Sequence, residues 1–486
     1  MRRRRGAVLG TLGLAAVALA SGLVGPGRGA RGSPAAAPAW ARPALAAHGH
    51  SELRTPGAVP DPARAAGTDT LPGVSHIVVL MLENHTFDNL FGMLGRGDGL
   101  ARGRNGAPTA TNPYPDGRVQ HAFHMPTTCQ LSSTPSQEWA ASHNAYDNGR
   151  NDGFVRTPIS PATTRIVGGV AMGYWTGADL PFTYSLASTF PIADRWFSSA
   201  LAQTDPERRF LVAATAAGMT DDIGTSPGNA VPDAGLATPD PTIFNELDTH
   251  GISWTDYAAS YPTGATPELF PVTDGPTEAL HHAGFDQFYN DSAAGNLSSF
   301  TLLDPDYGTQ SQENPQNIAV GEGLLARVVD ALGSSPLWPS TMLVVTYDEG
   351  GGYYDHVPPP SALAPDAVPP MVQPGEASYD GYARYGFRVP AVIVSPYAKR
   401  GYVSHRLYDH TSILAMVERK WNLPALTYRD ANANDLTDFL DLGALARHAP
   451  TFPKLPRLAP PGDTPAALAC SKTGPGAVPP PGSVTS

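Results

Sequence analysis

Residues 75–92 read SHIVVLMLENHTFDNLFG. The apolar run 77–82 is rich in β-branched residues and follows Pro72-Gly73, which predicts a buried strand of a parallel sheet. The run stops at Glu83-Asn84, with His85, Thr86 and Asp88 directly behind. Open α/β sheets assemble their sites by delivering polar residues at the carboxyl ends of such strands. Glu83 and Asn84 offer hard oxygen donors that an apolar core does not tolerate without partners. The same residues also suit a helix start, with Thr86 or Asn84 capping a turn around Phe87-Asp88.

A second buried strand is predicted over 341–347 (TMLVVTY), ending in Asp348-Glu349 and then Gly350-Gly351-Gly352. If the two strands are parallel, their carboxyl ends meet at one sheet edge. Glu83, Asn84, Asp348 and Glu349 then form an oxygen site suited to Ca²⁺, Mg²⁺ or Mn²⁺, which added histidines would tilt toward Zn²⁺ or Fe. The alternative is that Asp348 and Glu349 simply end the strand and cap the next turn. Further strands are expected at 192–197, 252–257 and 388–395. Helices are expected at 208–217, 243–250, 321–332 and 410–421. Residues 260–315 read as turn-rich cover over the active-site side. Thr204, just before Asp205-Pro206, lies where helix amides favour an anion. Beside a bound cation its hydroxyl is a nucleophile candidate, and otherwise it is an ordinary helix cap. Asp355-His356 and Asp409-His410 are adjacent pairs, in which His356 could serve a leaving oxygen and His410 could orient a ligand; His143 is a further option.

The chain has 486 residues, enough for one large α/β domain with insertions or for two domains, and 50 Gly with 50 Pro imply many turns. Its formal net charge is −12, and no basic block follows the N-terminus, which argues against nucleic-acid binding. Arg2 to Arg5 precede an apolar, Ala-rich segment over 7–24, so residues 1–30 read as a secretory signal rather than a membrane anchor. Residues 31–70 read as a flexible arm, 71–449 as the catalytic domain and 450–486 as a Pro-rich tail. No later run is long and apolar enough to span a membrane. The two cysteines, Cys129 and Cys470, could form one bridge in an oxidising compartment or remain buried thiols.

Several stretches, in the same order, resemble one bacterial family. They are ENHTFD at 83–88 with Phe91-Gly92, DRWF at 194–197 with TDPER at 204–208, and YDEGG at 347–351 with YDHVPP at 354–359. YGFRVP at 385–390, Ser395-Pro396, His405 and DHTS at 409–412 continue the match. The chain is similar over 74–423 to the phosphoesterases that include acid phosphatases and phosphatidylcholine-type phospholipases C. The resemblance implies an alkaline-phosphatase-like α/β fold, with a mostly parallel central sheet, flanking helices and long active-site loops. It implies a divalent metal held by Glu83, Asn84, Asp348, Glu349 and Thr204, and Thr204 as nucleophile toward phosphorus. His356 would assist the phosphoryl or leaving group, with His143 as a second catalytic candidate and Arg208, Asp355 and His410 facing substrate. The expected substrate is a phospholipid headgroup diester or a small phosphate monoester, met outside the cytoplasm or at the cell surface. Three positions depart from the family pattern: Glu207 replaces an Asn, and Gln137 and Asn314 stand where histidines are common. Those departures raise the alternative of a secreted binding protein that keeps the fold without the chemistry.

Overall fold

The computed structural model describes residues 37–130, 135–157, 168–222, 241–262, 264–270, 278–314 and 316–462. The predicted leader and Cys470 lie outside these residues, as does most of the C-terminal tail.

An eight-stranded sheet organises the chain. Its strands are β1 (His76–Leu82), β2 (Ile192–Ala193), β3 (Trp254–Ala258), β4 (His282–Gly284), β5 (Phe300–Asp304), β6 (Thr341–Tyr347), β7 (Ala391–Val394) and β8 (Val403–Ser404). Their spatial order is β8-β2-β7-β6-β1-β5-β3-β4. β1 sits between β6 and β5 and is parallel to both. Only β7 runs against its neighbours. The continuous apolar character of β1 and β6 follows from burial on both faces. Helices flank the sheet, among them Ile318–Ser334 and Thr411–Trp421, whose buried Leu, Val, Ile and Met side chains face the core.

Register matters more than strand count here. His76 pairs with Thr341 and Leu82 with Tyr347, so Glu83 and Asp348 leave the sheet side by side. Leu80 pairs with Leu303, which brings Asp304 level with Met81. Three adjacent parallel strands therefore deliver Asp304, Glu83 and Asp348 to one edge.

The sequence reading missed β4 and β5, both inside the stretch read as turn-rich cover. Within the expected strand 388–395, Ala391–Val394 joins the sheet, antiparallel, and Arg388 makes only an isolated bridge to Phe197. The expected strand 192–197 shortens to Ile192–Ala193. The helix expected through 208–217, with Pro206 in its first turn and Thr204 at its start, runs from Thr204 to Ala213. Within the segment read as a flexible arm, Arg42–His48 is helical and buries Ala44, Leu45 and His48. His48 also hydrogen-bonds the Tyr385 hydroxyl at 2.7 Å.

Candidate active site

Asn84 leaves β1 in a left-handed conformation, φ 69°. The glycine run after β6 makes room for it: a Cβ on Gly351, itself at φ 61°, would fall 2.2 Å from the Asn84 carbonyl oxygen. Thr86 caps the short helix Phe87–Phe91 through the Asn89 amide, so the capping role falls to Thr86 and the Asn84 side chain turns toward Asp348. The Asn84 backbone N–H donates to Asp348 Oδ1 at 3.1 Å, and the Glu349 backbone N–H donates to the same oxygen at 2.7 Å.

Thr204 opens the helix Thr204–Ala213, with Gln203 at the cap position. Its hydroxyl does not cap the helix. It donates to Asn84 Oδ1 at 3.3 Å. Asn84 Oδ1 also faces Asp348 Oδ1 at 3.1 Å and Glu349 Oε1 at 2.8 Å. Two arrangements satisfy this crowd of acceptors. The amide can turn its nitrogen inward and donate to all three oxygens. Alternatively, a cation can draw the oxygens together.

Charge favours the cation. Glu83, Asp348 and Glu349 are buried, and Asp222 and Glu313 act on them through space. Burial, and then neighbouring carboxylates, push Glu83, Glu349 and Asp222 well above the usual carboxylate range. Burial likewise raises Asp348 against the pull of Arg208, and it moves Glu313 up to about 7. Among the described residues, no hydrogen bond reaches Asp348 Oδ2. A buried cluster of hard oxygen donors with excess negative charge fits a divalent cation such as Ca²⁺, Mg²⁺ or Mn²⁺.

Arg208 is the guanidinium facing this cluster. It donates to Asp304 Oδ1 at 3.0 Å, to Glu83 Oε1 at 3.3 Å and to the Met81 carbonyl at 3.3 Å, and stands 3.7 Å from Asp348 Oδ2. The Tyr307 ring covers it at 4.9 Å. The sequence reading put Arg208 on substrate; here it is buried among carboxylates. His410 lies behind the cluster, its Nε2 donating to the Asp348 carbonyl at 2.6 Å, and burial lowers it to about 4. Glu207 points away from Thr204. It accepts the Ser199 and Ala200 amides at 2.6 and 2.8 Å.

Asp355 and His356 belong to a different cluster. The donor atoms of Asp88, Asp355 and His356 lie within 4.8 Å of one another, a spacing that could hold a metal. Arg388 already fills that role: it reaches Asp355 at 2.9 and 3.1 Å and Asp88 at 3.2 Å. His356 Nδ1 donates to Asp88 at 2.7 Å, while Nε2 faces Asp98 at 3.3 Å. Burial depresses this imidazole, but Asp88 and Asp355 outweigh it and push the pKa up to about 9. The group is thus a charged pair with its own counter-ions. Among the described residues, no hydrogen bond joins His356 to Thr204, Asn84 or Glu349.

His143 is also elsewhere. Its Nδ1 donates to the Trp139 carbonyl at 2.8 Å, its ring stacks on Tyr379 at 3.9 Å, and burial lowers it to about 4. With Tyr146, Arg156, Asp380 and Arg384 it lines a cavity of ≈ 810 Å³. Gln137 precedes the helix Trp139–Tyr146 that carries His143, and its carbonyl accepts from the Ser142 hydroxyl. Asn314 accepts from the Tyr353 hydroxyl at 2.7 Å. Cys129 is disulfide-bonded. The sequence reading missed Asp304, Asp222, Glu313 and Arg388; of these, Asp304 carried a signal, an acid closing the apolar run FTLLD.

The sequence matches the Phosphoesterase family over residues 74–424. It is 28% identical to phospholipase C B of Mycobacterium tuberculosis over 445 residues, covering 81% of this chain and 82% of the relative. It is 30% identical to non-specific phospholipase C6 of Arabidopsis thaliana over 393 residues, covering 75% of this chain and 72% of the relative. A solved protein of the alkaline phosphatase superfamily from Vibrio parahaemolyticus aligns at 10% identity, with a TM-score of 0.35, over 79% of this chain and 72% of that one. The chain belongs to the Phosphoesterase family and is a hydrolase of phosphoric esters.

Proposed function

We propose that the Thr204 hydroxyl is the nucleophile and that Glu83, Asn84, Asp348 and Glu349 hold a divalent cation beside it. The observation that carries this reading is the gathering of Thr204 Oγ1, Asp348 Oδ1 and Glu349 Oε1 around Asn84 Oδ1, at 3.3, 3.1 and 2.8 Å. A bound cation would supply positive charge to the hydroxyl and to the phosphoryl oxygens. Asp348, whose Oδ1 lies 3.1 Å from the Asn84 oxygen that Thr204 touches, would take the hydroxyl proton. The threonine oxygen attacks phosphorus, the ester oxygen leaves as the alcohol with a proton, and water then hydrolyses the phosphothreonine. His410 holds the Asp348 backbone from behind. Asp355 and His356 brace the neighbouring loop through Arg388, and His143 contributes to the cavity wall.

Phospholipase C relatives support a phospholipid headgroup diester as substrate. The leader-like N-terminus supports action outside the cytoplasm. The test is hydrolysis of p-nitrophenyl phosphocholine beside p-nitrophenyl phosphate, with Ca²⁺, Mg²⁺, Mn²⁺, Zn²⁺ or Fe²⁺ supplied. The diester should be preferred, and preference for the monoester would make the protein a phosphatase. Thr204→Ala should lower turnover by more than about 10³-fold with an unchanged circular-dichroism spectrum. Wild-type turnover in that variant would remove Thr204 from the mechanism.

A further inference from the structure

Arg208 occupies a position that three strand ends create. β5, β1 and β6 deliver Asp304, Glu83 and Asp348, and the guanidinium reaches toward all three, at 3.0, 3.3 and 3.7 Å. Only 3% of its side chain is exposed, and Tyr307 covers its π-face. The Tyr307 hydroxyl also donates to Asp304 at 3.2 Å, closing that side. Thr204, Glu349 and Asp348 Oδ1 gather around Asn84 Oδ1, at 3.3, 2.8 and 3.1 Å. Asp348 is therefore common to both halves: Oδ1 takes the Asn84 and Glu349 amides, and Oδ2 faces Arg208.

A guanidinium remains charged at any working pH and cannot exchange with solvent ions. Its planar fork spans several carboxylates at once, which an ammonium or a hydrated ion does not. We infer that Arg208 is the built-in second cation of this centre, a positioning residue that fixes Glu83 and Asp348 and limits the site to one exchangeable divalent ion per chain. The inference rests on the cation reading proposed above. It also explains why the arginine does not reach substrate: both of its terminal nitrogens are engaged by protein oxygens.

Counting bound ions tests this without reference to turnover. The full chain is saturated with Mn²⁺ or, separately, with Ca²⁺ and freed of excess ion. Metal per chain is then read by inductively coupled plasma and native mass spectrometry. Wild type should carry one ion. Arg208→Ala leaves Asp304 and Glu83 without their cation and should carry two. Two ions in wild type, or one in folded Arg208→Ala, overturns the inference while leaving the cation reading intact. No ion in wild type removes both. If Arg208→Ala does not fold, Arg208→Lys decides. It keeps the charge but loses the fork, so calorimetric titration should find one ion bound at least about tenfold more weakly. Unchanged affinity in Arg208→Lys would reduce Arg208 to a structural residue.

Discussion

A carboxylate beside Arg208 would repel phosphate if it faced the site. Glu207 does not face it. Both of its oxygens accept backbone amides from Ser199 and Ala200, and His410 Nε2 stands 3.4 Å from one of them. The residue is buried, so this side chain holds the 199–200 turn against the first turn of the Thr204–Ala213 helix. Glu207→Gln would set an amide NH₂ against a backbone N–H. It should destabilise the protein by about 1–3 kcal/mol, seen as a lower denaturant midpoint, with turnover on p-nitrophenyl phosphocholine within about threefold. A far larger loss of turnover would place Glu207 in the chemistry. Residue identity alone could not reveal its orientation. The sequence marks Glu83, Asn84, Asp348 and Glu349 because each pair directly follows an apolar run. Which way Arg208, Glu207 or His356 turns depends on partners far along the chain, such as Asp304 and Asp88.

Among the elements, β1 and β6 were legible and β5 was not. The two long strands consist of seven residues each, with a continuous apolar pattern. β5 has five residues set among turn formers, and only its long-range pairing with β1 and β3, where Ala258 stands opposite Asp304, gives Asp304 its place. Long-range pairing also explains the Arg388 cluster. It ties the helix Phe87–Phe91, through Asp88, to the loop carrying Asp355 and His356. His356 gains its proton affinity from folding, so its contribution to stability is complete below its ordinary value of 6.5 and is lost as pH rises through about 9. The melting temperature should therefore fall across this window, and His356→Gln should flatten that part of the profile. An identical decline in the variant would assign the pH dependence to other groups. Arg388→Met leaves Asp88 and Asp355 buried without their cation and should cost about 3–5 kcal/mol, measurable by denaturant titration.

For the molecule as a whole, two acidic centres flank the loop after β6, and they differ in how their charge is met. Around Asp88 and Asp355 the protein supplies Arg388 and a protonated His356. Around Glu83, Asp348 and Glu349 it supplies Arg208, and Glu313 and Asp222 add further negative charge. Spacing alone would admit the first centre as a metal site, since the donor atoms of Asp88, Asp355 and His356 lie within 4.8 Å of one another. Charge balance favours the second, because a divalent ion there relieves repulsion, whereas at the first it would compete with a guanidinium already bonded to both carboxylates. The two can be told apart by stability. A ligand that binds only the native state adds about 2.7 kcal/mol at a free concentration one hundred times its Kd. Chelation should therefore lower the melting temperature, and Ca²⁺ or Mn²⁺, but not an equal ionic strength of NaCl, should restore it. Asp348→Asn should abolish the ion-dependent increment, while Asp88→Asn lowers the baseline and leaves the increment in place. The reverse pattern would move the ion to the Asp88 cluster and separate it from Thr204.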